Sequence, residues 1–213
     1  MKKNNLIRFL QSLVLLPVMT MALPLGTAYK TGINSGIPQN ILAQQQNINS
    51  LRTLAINQAV DMEAESNAKI LKAKVEAIDA YFAEHDMPLE GTGMKMVEEA
   101  EKNGLDWRLL PAIAIRESTG GKNDCKKVSN NPFGWGSCKI SFKSNEEAIE
   151  VVAKNLGGNN PNTAKHYDNK TSKQILQAYN PPSIIPHYAQ QVMSIMKDIG
   201  DEDLALVSNS TTT

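Results

Sequence analysis

Residues 110–121, Leu-Pro-Ala-Ile-Ala-Ile-Arg-Glu-Ser-Thr-Gly-Gly, constrain this chain more than any other segment. The run is long enough for three helical turns, and almost every side chain before Arg116 is apolar. Leu110, Ile113 and Ala114 precede Glu117 by seven, four and three residues, so they share its face of the helix. That face must be buried, and a carboxylate on it loses hydration, which disfavours its charged form. Gly120 and Gly121 read as a helix stop, placing Glu117 in the last turn, where the negative end of the helix dipole also opposes ionisation. Both effects push its proton affinity up, as a general acid working near neutral pH requires. The plain alternative is a partly exposed glutamate at a helix end.

Around this helix the sequence predicts a mainly α domain. A helix over about 94–103 stops at Gly104, Asp106 can cap the next turn, and Pro111 marks the start or a kink of the Glu117 helix. Ser144-x-x-Glu147 is a capping box ahead of Ile149, Val152, Ala153 and Leu156, and Thr171-x-x-Gln174 is another ahead of Ile175 and Tyr179. The last helix carries Tyr188, Val192, Ile195 and Ile199 on one face and ends at Gly200. Residues 136–142 alternate well enough to suggest one short strand, the only β element expected. Trp107 is assigned to the core.

Upstream, residues 1–28 have the layout of a secretory signal: Lys2, Lys3 and Arg8, then an apolar run, then small residues before a cut after Ala28 or, alternatively, after Ala22. An uncleaved anchor is the rival reading, against which Pro17 and Pro24 interrupt the run. Residues 29–50 are rich in Gln, Asn and Gly and read as a polar linker. Residues 51–86 read as a helical stalk whose best stripe is Leu71, Val75, Ile78 and Phe82; a coiled-coil partner helix is the alternative use of this segment. The domain occupies 87–200, and 201–213 is a loose polar tail.

The whole chain has 22 basic and 22 acidic residues. Loss of 1–28 removes three basic residues, leaving 19 against 22. No basic stripe interleaved with aromatics suggests nucleic acid. Cys125 and Cys138, 13 residues apart, pair by default in an oxidising compartment, worth about 3 kcal/mol in the chain-entropy account. Two thiols and three histidines without ligand spacing make a poor zinc site. No metal or organic cofactor is expected.

Three segments together resemble the lysozyme-like superfamily, and more narrowly the bacterial endo-β-N-acetylglucosaminidases that cut peptidoglycan. Ala-Ile-Arg-Glu117-Ser118 is similar to the apolar helix that ends in the family's catalytic Glu, and Glu-Ser is also found there in lytic transglycosylases. Asn130-Asn131-Pro132-Phe133-Gly134-Trp135-Gly136 is similar to the Asn-Asn-x-Phe-Gly loop that follows. Tyr179 with Pro186-His187-Tyr188-Ala189 resembles the Tyr…Pro-x-Tyr-Ala segment, and Ala178-Tyr179-Asn180 echoes the transglycosylases. The resemblance spans about 90–199 and implies a lysozyme-like fold acting on peptidoglycan or a related N-acetylated glycan, outside the cell or in its envelope. It implies Glu117 as the acid, with Ser118, Asn131, Phe133, Gly134, Trp135, Tyr179 and Tyr188 around the substrate.

The residue types suit glycan cleavage on their own account. A protonated carboxyl must reach the leaving oxygen, and sugar rings need apolar or aromatic platforms. Phe133 and Trp135 offer the platforms, on a loop bracketed by glycines; core packing is the competing role for Trp135. Tyr179 and Tyr188 can hydrogen-bond Glu117 or substrate, or pack as core aromatics. Asn131 can shape the turn or bind substrate. A second carboxylate is the gap, and Asp124 is the candidate; otherwise the 2-acetamido group of the substrate serves as nucleophile, or its 6-hydroxyl closes onto C1. A silent glycan-binding or scaffold domain is the reading from another functional class.

Overall fold

In the computed structural model the described residues are 39–202 and 204. The expected signal segment and most of the expected tail lie outside them. The described residues form helices and no strand: α1 Gln39–Glu84, α2 Gly93–Lys102, α3 Leu109–Ser118, α4 Trp135–Cys138, α5 Asn145–Leu156, α6 Ala164–Tyr167, α7 Ser172–Tyr179 and α8 Tyr188–Ile199. Among them no helix is long and apolar enough to cross a membrane.

Two boundaries differ from the sequence reading. Helix α1 begins at Gln39, inside the segment read as linker. Its C-terminal part also belongs to the folded core rather than to a stalk: Ile78 and Phe82 are fully buried, and Leu71 and Val75 pack against that core. Residues 52–69 of the same helix are exposed, including Leu54, Ile56, Val60 and Met62. The stripe of apolar residues at helical spacing ends where the polar interruptions begin, and burial follows it.

Among the described residues, those from Arg52 onward form one compact unit, and the core lies within it. Helix α3 is its centre. Leu109, Leu110, Ala112, Ile113 and Ala114 are all fully buried, so this helix is enclosed on nearly every side until Arg116. It packs most extensively on α8, whose Tyr188, Val192, Met196 and Ile199 face inward at helical spacing. Helix α2 bridges α3 and α5, and α7 lies along α8.

The caps explain where these helices start. Ser144 accepts a hydrogen bond from Glu147 N, while Glu147 Oε2 accepts from Lys143 N at 2.5 Å. Thr171 and Gln174 complete a reciprocal capping box. Asp79 of α1 accepts from Gly91 N and Gly93 N, so a carboxylate of one helix caps the next. Asp106 Oδ1 accepts from Arg108 N, as expected of a capping aspartate. Trp107 is buried, and its indole N–H donates to Glu202 O, which holds the start of the expected tail against the domain.

The expected strand at 136–142 does not form. Gly136, Ser137 and Cys138 take successive left-handed conformations (φ 64°, 56° and 56°), so the chain coils where a strand would extend. The alternation of residue types there reflects a loop pinned by side chains.

Candidate active site

Helix α3 ends by left-handed closure. Thr119 has φ 54°, its N–H donates to Ile115 O, and Gly120 N donates to Ala114 O. Gly120 is needed twice over, for its φ of 63° and because a Cβ there would lie 2.5 Å from Met87 Sδ. This closure leaves Glu117 in the last turn, half-buried, at the edge of the core.

Three surrounding elements meet Glu117. Tyr188, at the first position of α8 and fully buried, donates its hydroxyl to Glu117 Oε1 at 2.5 Å. Asn180, the residue closing α7, lines the same groove, and its side chain favours the charged form of the carboxyl group. Gly134 approaches from the loop: a Cβ built on it would stand 3.4 Å from Glu117 Oε2. Its φ of 61° also favours glycine. One carboxyl oxygen is therefore held by Tyr188, and the other faces a position kept free of side chain.

Beyond Gly134 lies a groove of about 450 Å³ lined by Glu117, Phe133, Gly134, Trp135, Gly136, Ser137, Tyr167, Tyr179 and Asn180. Its aromatic wall is continuous. Trp135 lies 5.8 Å from Tyr179 and 6.5 Å from Tyr167, centroid to centroid, and Tyr179 stacks on Tyr188 at 6.1 Å with planes 12° apart. Such offset stacks favour the spacing seen. The Tyr179 hydroxyl donates to Phe133 O, which ties α7 to the loop.

Burial raises the proton affinity of Glu117 above the usual carboxylate range; the Tyr188 hydrogen bond, the nearby Arg116 charge and the Asn180 hydrogen bond oppose this in that order. Burial likewise pushes Tyr188 and Tyr179 well up, with the Glu117 charge adding to it, so both hydroxyls stay protonated and act as donors. The site thus combines a carboxyl of raised proton affinity with neutral phenols.

The loop that presents Trp135 is built by Asn131. Its Oδ1 accepts from Trp135 N at 2.8 Å, and its Nδ2 donates to Trp135 O and Ile140 O, both at 2.9 Å. The side chain is completely enclosed, so of its two expected roles the loop-shaping one is what it performs here. Asn130 Nδ2 donates to Phe142 O, and Cys125 is bonded to Cys138, closing the loop from the other side.

Several sequence expectations need correction. Phe133 is fully buried and belongs to the core, so although it borders the groove its ring offers no open face as a platform. Ser118 does not reach the groove. Its hydroxyl donates to Ala114 O and accepts from Gly121 N, completing the helix end. Asp124 does not line the groove either: its two oxygens accept from Cys125 N at 2.6 Å and Asn131 N at 3.1 Å, so the carboxylate organises the disulfide loop. Glu117 is the one carboxylate among the described residues lining the groove.

Two contributors were missed. Tyr167, 9% exposed, forms part of the wall, and Asn180 lines the groove with Glu117 and favours its charged form. Tyr167 stands in a four-residue helix with no periodic signal. Asn180 was legible as part of Ala-Tyr-Asn, but its aim at Glu117 was not.

A mainly helical domain with one desolvated glutamate opening onto an aromatic groove has the form of a glycan-cleaving enzyme. Residues 94–201 match the family of glucosaminidases described as mannosyl-glycoprotein endo-β-N-acetylglucosaminidase, and the chain belongs to that family of glycan hydrolases. No curated protein and no solved structure matches the chain.

Proposed function

We propose that this protein is an exported glycosidase that cleaves the glycan strand of peptidoglycan beside N-acetylglucosamine, with Glu117 as acid and base. The observation that carries the reading is the asymmetric setting of the Glu117 carboxyl: Oε1 accepts from Tyr188 in a buried setting, while Oε2 faces the groove past Gly134. A carboxyl whose proton affinity burial raises can deliver its proton from Oε2 to the leaving glycosidic oxygen. The sugar rings would lie along Trp135, Tyr167 and Tyr179.

With one carboxylate lining the groove, the chemistry is best written through the substrate. The 2-acetamido carbonyl oxygen attacks C1 as Glu117 protonates the departing oxygen, giving a cyclic oxazolinium ion. Water then opens that ion, with the Glu117 carboxylate taking its proton. Export is supported by the charged, apolar and small-residue order of residues 1–28 and by a disulfide suited to an oxidising compartment. Asn180 in the groove with Glu117 favours one second reading, lytic closure of the sugar's 6-hydroxyl onto C1, since the Ala-Tyr-Asn segment resembles the transglycosylases.

Digestion of purified peptidoglycan followed by mass spectrometry tests both. Hydrolysis leaves reducing N-acetylglucosamine ends and adds one water per cut. Lytic cleavage leaves 1,6-anhydro-N-acetylmuramic acid ends, lighter by that water. Binding without any cut would support the scaffold reading instead.

A further inference from the structure

Arg116 is the single charged residue of α3 besides Glu117. A cation in the last turn of a helix is ordinarily explained by the helix dipole, and such a side chain extends into water. This one turns across to α8. Its Nε donates to Gln191 Oε1 at 2.9 Å, and its guanidinium carbon stands 5.7 Å from the centroid of the Tyr188 ring.

Tyr179 stacks on the same ring, its centroid 6.1 Å away. The tyrosine ring therefore meets both a cation and a second ring, contacts that hold its plane while its hydroxyl reaches Glu117 Oε1. A planar, permanently charged, weakly hydrated guanidinium suits the face of a buried ring better than an ammonium does. A positive charge over the ring also stabilises the negative charge that gathers on the phenol oxygen as its O–H bond is drawn toward a carboxylate.

The geometry points to Arg116 as a positioning residue: anchored on Gln191, it holds the Tyr188 hydroxyl against Glu117 and stabilises the carboxylate formed when Glu117 gives its proton to the leaving sugar oxygen. This rests on the reading of Glu117 as proton donor. The groups facing Glu117 are Arg116 from α3, Tyr179 and Asn180 from the end of α7, and Tyr188 from α8; Tyr167 of α6 bears on Tyr179. Arg116 is the one cation among them. Burial makes Glu117 a reluctant acid, and Arg116 works in the opposite direction, in part by its own charge and in part through Tyr188.

The test is a titration of the Glu117 carboxyl carbon by NMR in the full chain, which reads the site without needing cleavage. Arg116→Gln should move the Glu117 midpoint upward, Arg116→Lys should restore most of the wild-type value, and Gln191→Ala should give a smaller upward move. In a Tyr188→Phe background the effect of Arg116→Gln should shrink, because the hydroxyl that transmits it is gone. Where cleavage is measured, the alkaline limb of the rate profile should follow the midpoint and kcat should fall by roughly tenfold, a fraction of what general acid catalysis contributes. An unmoved midpoint with a lowered thermal transition would make Arg116 a purely structural residue and overturn the proposal. So would an equal shift in the Tyr188→Phe background. A failure to cut peptidoglycan, with the titration behaving as described, would instead overturn the glycosidase reading and leave the coupling intact.

Discussion

The hydroxyl of Tyr188 lies 2.5 Å from Glu117 Oε1, joining residues 71 positions apart in sequence at the contact between α3 and α8. The two helices form the most extensive pairing in the domain, so this hydrogen bond is set by core packing rather than by a mobile loop. The position of the Glu117 carboxyl is thereby set where the two helices pack.

Glu117→Gln keeps the shape and the acceptor for Tyr188 but removes the transferable proton. Cleavage should fall by about two or more orders of magnitude. Burial raises the proton affinity of Glu117 in the folded state, so the folded protein binds its proton more tightly than the unfolded chain. Wild-type stability from this group is present at acid pH and is lost as pH rises above the ordinary glutamate range toward the raised value. The amide never ionises. Thermal unfolding across pH should therefore show the variant equal to or more stable than wild type near neutrality, with its advantage shrinking as the solution is acidified. Full activity in the variant would remove Glu117 from the chemistry.

Trp135 and Phe133 are two residues apart and should respond oppositely. Trp135→Ala should weaken glycan binding about tenfold, the scale of one lost aromatic stack, with a modest loss of stability. Phe133→Ala should cost about 3–5 kcal/mol of stability, as for a fully buried ring. Paired calorimetry of binding and of unfolding separates the two; equal stability losses would return Trp135 to the core.

Asp124→Asn decides whether a second acid takes part. The carboxylate holds two backbone N–H groups of the loop, and an amide oxygen can keep one of them. Stability should drop by about 1 kcal/mol, while kcat stays within a few-fold of wild type. A loss comparable to that of Glu117→Gln would make Asp124 a catalytic partner.

The loop carrying Trp135 is held by Asn131 and by the Cys125–Cys138 bond together. Asn131→Ala leaves three loop groups without their partner and should cost about 1–3 kcal/mol. Removing the disulfide by paired serine substitution should cost up to about 3 kcal/mol. In both variants KM for glycan should rise more than kcat falls, because the platform moves and the acid does not. Hydrogen exchange localised to residues 125–142 would register the same loosening; exchange spread evenly over α3 and α8 would contradict it.

The sequence by itself determined the main helices of the domain and singled out Glu117. Periodic apolar residues, capping boxes at Ser144 and Thr171 and the glycine stop after Ser118 are local signals, and a helix responds to them locally. The enclosure of Glu117 followed from its own face of α3, again a matter of residues within two turns. What only the tertiary structure decided is everything in the loop between α3 and α5 and at the meeting of α3, α7 and α8. Which of Phe133 and Trp135 turns inward, whether Asp124 faces the groove, and that Asn180 and Arg116 converge on Glu117 and Tyr188 depend on contacts across tens of residues. An aperiodic chain has no repeating face, so residue type alone cannot say which way a side chain points; that direction is set by whatever surface packs against it.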